Sequence, residues 1–78
     1  MIDLKQVLND IAKVIVDSPD EVSVTGKTRG NNVILELHVA EDDMGKVIGR
    51  HGKIARSIRL VMKAAASKIG KTVTVDIK

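Results

Sequence analysis

No cysteine, phenylalanine, tryptophan or tyrosine occurs in this chain of 78 residues, and it has a single proline. Without cysteine no disulfide can staple the fold. No thiolate is available as a nucleophile or soft metal ligand either, which fits a reducing compartment. Without aromatic rings the chain cannot stack nucleobases as many single-strand binders do. Any nucleic-acid contact must therefore come from backbone groups, charge and aliphatic surface. No apolar run approaches the ~20 residues of a membrane span. The N-terminus lacks the basic, apolar, small-residue order of a secretory signal. The expectation is a soluble cytoplasmic protein with no membrane partner.

What the chain does have is enough apolar material for one small core. Hydrophobic residues make up 44%, too many for a disordered segment. The length suits a single domain spanning residues 1–78. The net charge of +3 is unevenly placed. Residues 1–43 hold four bases and nine acids, a net of −5; residues 44–78 hold nine bases and one acid, Asp76, a net of +8. Such an asymmetry points to an anion-binding half.

Read in order, residues 2–16 carry a helical stripe of Leu4, Leu8, Ile11 and Ile15, widened by Val7 and Val14. It ends at Asp17-Ser18-Pro19-Asp20, where the proline disfavours helix for Ser18. Residues 21–28 read as a strand, with Val22 and Val24 alternating against Ser23 and Thr25. A hairpin turn at Arg29-Gly30-Asn31-Asn32 leads to the clearest strand, 33–39. There Val33, Leu35, Leu37 and Val39 share one face, and Ile34, Glu36 and His38 the other. Glu41-Asp42-Asp43 has the chemistry of a helix N-terminus. A short helix over 43–48 is predicted, with Met44, Val47 and Ile48 inward. A long helix follows Gly52 and runs to about Ile69, its inner stripe Ile54, Ile58, Val61 and Ala65, broadened by Leu60, Met62 and Ile69. Arg56, Arg59, Lys63 and Lys68 face outward, and Gly70 suits the residue after the C-cap. Val73, Val75 and Ile77 alternate with Thr72, Thr74 and Asp76 in a last strand. Its crossover from the second strand favours a parallel pair. The predicted fold is α+β, ordered α-β-β-α-α-β. It has a three-stranded mixed sheet with three helices packed on one face.

The two last helices are joined by Gly49-Arg50-His51-Gly52. At ~7% glycine, a G-x-x-G arises by chance in roughly a third of chains this long, so the four letters alone decide little. Their setting decides more. Gly49 and Gly52 clear side chains from the path of a sugar-phosphate backbone. The long helix then starts with its unpaired N–H groups and positive dipole end beside them. Arg50 and His51 stand on the tip, with Lys46, Lys53 and Arg56 adding charge around it. Ile48 and Ile54 can form an aliphatic floor for bases. Ile58 and Val47 fit core packing better than ligand contact.

Val47-Ile48-Gly49-Arg50-His51-Gly52 followed by a helix resembles the V-I-G-x-x-G core of the KH domain, whose G-x-x-G loop clamps four nucleotides of backbone. The element order resembles the type II KH fold. The length and the acidic Glu41-Asp42-Asp43 lead resemble the small bacterial KhpA family. That resemblance implies a cytoplasmic RNA chaperone or post-transcriptional regulator of single-stranded RNA, with single-stranded DNA a second ligand of the same chemistry. It also implies a homodimer, a larger KH-containing partner of the KhpB family, and a link to cell elongation and division. The chain departs from general KH signatures in one place. Three residues after the second glycine, where they have isoleucine, it has Ala55, with Ile54 beside it.

Enzymatic and metal chemistry find little support. His38 and His51, the only histidines, fall on a strand and a loop tip. The acids at 41–43 are consecutive, rather than converging from separate elements as a catalytic pair does. No cofactor or metal is expected. The G-x-x-x-x-G-K-[ST] phosphate loop is absent. The alternative is a small dimeric adaptor whose basic half meets an acidic protein.

Overall fold

The first apolar stripe forms helix α1, Leu4–Ile15, in a computed structural model that describes residues 2–78. Asp3 caps it, its carboxylate accepting from the N–H of Gln6 at 3.2 Å, and Lys13 stands in its last turn. Leu4, Leu8 and Ala12 are its buried residues, with Ile11 and Ile15 packed beside them. Val14 does not widen this stripe; it is 84% exposed. At 3.6 residues per turn it lies about 120° away from the direction of Leu8.

A single 3₁₀ turn at Pro19–Glu21 leads into β1, Ser23–Arg29, which pairs antiparallel with β2, Asn32–His38. Val33, Leu35 and Leu37 on β2 are buried, as the alternation predicts. A second 3₁₀ turn, Glu41–Asp43, precedes helix α2, Met44–Ile48. Helix α3, Lys53–Lys68, and strand β3, Thr72–Ile77, complete the chain. Strand order is β1-β2-β3, with β3 parallel to β2, so the sheet is mixed. α1 and α3 lie on one face of it, and α2 packs against both. The turn after α3 is a Schellman motif. The N–H of Lys71 donates to the Ala66 carbonyl at 2.9 Å and that of Gly70 to the Ser67 carbonyl at 3.1 Å.

Two inward faces differ from the prediction. On α3 the buried residues are Ala55, Ile58, Met62 and Ala66, while Val61 is 52% and Leu60 66% exposed. The face that meets the sheet is thus rotated from the predicted stripe, and it begins and ends on alanine. Small side chains let α3 come close to the sheet, which larger ones at the same positions would prevent. On α2 only Val47 is fully buried. Met44 is half-buried, and Ile48 is turned to the surface. A five-residue helix shows one narrow face to its neighbours and cannot bury three large side chains.

Candidate nucleic-acid interface

Gly49 ends α2 with its N–H donating to the Gly45 carbonyl at 2.9 Å. Its φ of 74° and ψ of 174° lie in a region that only glycine occupies freely. There is a packing reason as well. A Cβ at Gly49 would fall 2.3 Å from Cγ1 and 2.8 Å from Cβ of Ile54. Gly52 has φ 74° and ψ 15°, the left-handed helical region, with open space where its Cβ would be. Between them His51 sits at φ 57°, the one non-glycine at positive φ among the described residues. The backbone therefore winds left-handed at the tip, and the two glycines serve different ends. Gly49 admits Ile54, and Gly52 admits the turn into α3.

The tip is tied down. Arg56 Nη2 donates to the His51 carbonyl at 2.7 Å, and the N–H of Gly52 donates to the Gly49 carbonyl at 3.1 Å. α3 starts with no side-chain cap and no acid in its first turn, so no side chain of the helix competes for an anion there. Arg50, His51 and Lys53 are exposed and make no ion pair among the described residues. Lys46 lies 3.2 Å from Asp17, an exposed pair of the kind worth ~0–1 kcal/mol. It can turn to a stronger anion. Ile48 and Ile54, each 39% exposed, flank the turn as aliphatic surface. Ile58 and Val47 are buried and belong to the core. Ala55 also points inward, so the departure at that position falls on helix packing rather than on the open surface.

One residue that holds this region does so differently from the sequence expectation. Asp43 was expected to help cap α2, but its side chain makes no capping hydrogen bond. It is 2% exposed, and its two oxygens accept the N–H groups of Asp17 at 3.1 Å and Ser18 at 3.0 Å. It thereby fixes the start of α2 to the end of α1. The demand was visible, since N–H groups leaving α1 ahead of a proline need partners. The donor–acceptor match spans 25 and 26 residues, which local pattern does not reach.

An α-β-β-α-α-β chain with a G-x-x-G turn between its second and third helices is a KH domain of type II. A family model described as "KhpA/KhpB, KH domain" matches residues 5–77. The RNA-binding protein KhpA of Clostridium acetobutylicum is 57% identical over 74 residues, covering 95% of this chain and 99% of that protein. The RNA-binding protein KhpA of Clostridium perfringens is 49% identical with the same coverage. Among solved structures, Era in complex with MgGDPNP and nucleotides 1506–1542 of 16S ribosomal RNA superposes at a TM-score of 0.69 and 16% identity. It matches over 95% of this chain, which spans 28% of that one, and the likeness is one of fold. The chain belongs to the KhpA/KhpB KH-domain family.

Proposed function

We propose that the chain binds single-stranded RNA by closing the turn 49–52 on the sugar-phosphate backbone. The observation that carries this is the turn's geometry. Three residues at positive φ, Gly49, His51 and Gly52, bring backbone N–H groups and the start of a 16-residue helix without a side-chain cap to one exposed tip. Arg50, His51 and Lys53 stand around that tip without partners among the described residues. Lys46 and Arg56 flank it, and Ile48 and Ile54 offer bases an apolar surface beside it. Two relatives bear the name RNA-binding protein KhpA, which supports the same ligand here. With no ring to stack on and about four nucleotides held, binding is expected to be weak, on the order of micromolar. Such an activity suits an RNA chaperone or post-transcriptional regulator in the cytoplasm. The family resemblance extends it to cell elongation and division and to a KhpB-type partner.

The test replaces Arg50 and His51 together with Asp, keeping both glycines. The tip is exposed, so stability should change by no more than ~0.5 kcal/mol. Two negative charges beside phosphate cost several kcal/mol, so RNA binding should be lost. Wild-type affinity in the double variant would remove the turn from the site.

Self-association is part of the same reading. Val61 stays exposed on α3 after the core is complete, which favours a second copy of the chain as its cover. Two linked sites also raise the avidity of a weak binder. Sedimentation that shows only monomer at high micromolar concentration refutes the homodimer.

A further inference from the structure

β3 has one edge paired and one free. The N–H of Thr72 donates to the Asn31 carbonyl at 2.9 Å and that of Lys78 to the Leu37 carbonyl at 2.8 Å. The even-numbered residues thus turn their backbone groups to β2, and Val73, Val75 and Ile77 turn theirs outward. α3 runs beside that edge and leaves a groove. Arg56, Arg59 and Lys63 form one wall, Val73 and Val75 the other, and no acid lines it. The groove is continuous with the turn 49–52, because Arg56 borders the groove and also holds the His51 carbonyl.

The free edge is altered at one point. Arg59 Nε donates to the Val75 carbonyl at 3.1 Å. A bare strand edge offers one donor and one acceptor at each outward residue. At Val75 the acceptor is already engaged. A ligand meets the Val75 N–H and the terminal guanidinium nitrogens of Arg59, which have no other partner among the described residues. At Val75 the edge therefore presents donors, while the outward carbonyls of Val73 and Ile77 stay open. It also resists addition of a further strand, because the carbonyl such a strand needs is occupied.

We propose that Arg59 makes this groove selective for a base that presents neighbouring acceptors, and so for guanine over adenine, an inference that rests on the single-strand reading above. Guanine offers O6 and N7, both acceptors, which suit a guanidinium fork. Adenine offers N7 and the N6 amine, so at Val75 its amine would meet donors and go unpaired. A bare edge shows no such bias, since its N–H and C=O together satisfy adenine well. Arg59 is a specificity-determining residue whose contribution is geometric as well as electrostatic.

The experiment is a fluorescence anisotropy titration of hexauridylates carrying one central guanine, inosine or adenine, at fixed salt. Inosine keeps O6 and N7 but lacks the 2-amino group. Wild type should bind the guanine and inosine strands more tightly than the adenine strand, by about five- to a hundredfold. Arg59→Lys keeps the charge and loses the planar fork, and should bring the three strands to within about twofold of one another. Its melting curve should match wild type, since Arg59 is exposed. Equal wild-type affinities, inosine as weak as adenine, or discrimination that survives Arg59→Lys overturns the proposal. Binding that the Asp double variant at 50 and 51 abolishes, but that ignores base identity, overturns this inference and leaves the turn as the site. No binding to any strand overturns both.

Discussion

The two glycines of the turn make different demands, and alanine at each position should separate them. Gly49 lies at φ 74° and ψ 174°, where a residue with a Cβ bears a strain of ~1–3 kcal/mol. The new methyl would also sit 2.8 Å from Cβ of Ile54 and 3.0 Å from its backbone N. Those atoms belong to the first turn of α3 and cannot swing aside, so overpacking adds ~1–3 kcal/mol. Gly49→Ala should therefore lose about 4 kcal/mol, much of the ~4–12 kcal/mol a domain of this size has in total. Gly52→Ala meets only the left-handed backbone, at ~1–2 kcal/mol, because nothing lies within 4 Å of its Cβ. Part of that is offset by the stiffer unfolded chain, leaving about 1 kcal/mol. At ~4–8 °C per kcal/mol, melting should fall by roughly 15–30 °C for Gly49→Ala and roughly 4–8 °C for Gly52→Ala. Circular dichroism at 222 nm, the helix band, follows both. A control sharpens the test. Ile54→Ala removes Cγ1 but leaves Cβ, so in the Gly49→Ala background it should recover ~1 kcal/mol as a non-additive term. Equal losses at the two glycines, or a milder loss at Gly49, would refute the account of Ile54 as the cause.

Asp43→Ala removes the acceptor of two backbone N–H groups and should destabilise by about 3 kcal/mol, measured by urea unfolding; a loss under ~1 kcal/mol would mean that water replaces the carboxylate. Met62→Ala should cost ~2–5 kcal/mol and Leu60→Ser less than ~0.5 kcal/mol at dilute, monomeric concentration, and the reverse order would refute the helix face seen in the structure. If the turn contacts three or four phosphates, log K should fall with log[salt] at a slope of about −2 to −3, and a flat dependence would rule out a backbone clamp.

Elements were legible where the pattern had one solution. On β2 only one register puts Val33, Leu35 and Leu37 together, and a slip of one residue would bury Glu36. α3 offered several. Ile54, Ile58, Leu60, Val61, Met62 and Ile69 are apolar over more than half a turn, so periodicity alone fits more than one inward face. The structure chose the face with Ala55 and Ala66, because the distance between helix and sheet selects small residues that a hydrophobicity count treats as weak. The turn 49–52 could be read as a tip, since the glycines and charges are local. The sequence places Arg56 outward with its charge beside the tip, but its bond to the His51 carbonyl depends on a three-dimensional loop path that no spacing gives. Arg59 was read as outward, which it is, but its reach to Val75 crosses from α3 to β3.

The ties around the turn bear on how a chain without aromatic rings can hold a flexible polymer. Each contact available to it is weak, so little can be spent on ordering the protein at the moment of binding. Ordering one mobile side chain costs ~0.5–1.5 kcal/mol, and fixing one backbone residue ~1–2 kcal/mol. A four-residue loop that had to freeze on contact would forfeit several kcal/mol, a large share of a micromolar affinity of ~8 kcal/mol. Here folding has already met that cost. Ile54 closes over Gly49, Arg56 holds the His51 carbonyl, and Asp43 fixes the start of α2 to the end of α1. The exposed charges of Arg50 and Lys53 are the parts left to move, and charge is the term that needs the least geometric precision. On this account Arg56 acts at the turn as a fastener more than as a phosphate contact. Arg56→Lys, which keeps the charge but has a shorter reach and no planar fork to hold the His51 carbonyl, should weaken RNA binding while leaving the salt slope within about 0.3 of wild type. A slope reduced by ~0.7, one phosphate's worth, would show instead that Arg56 meets the backbone directly.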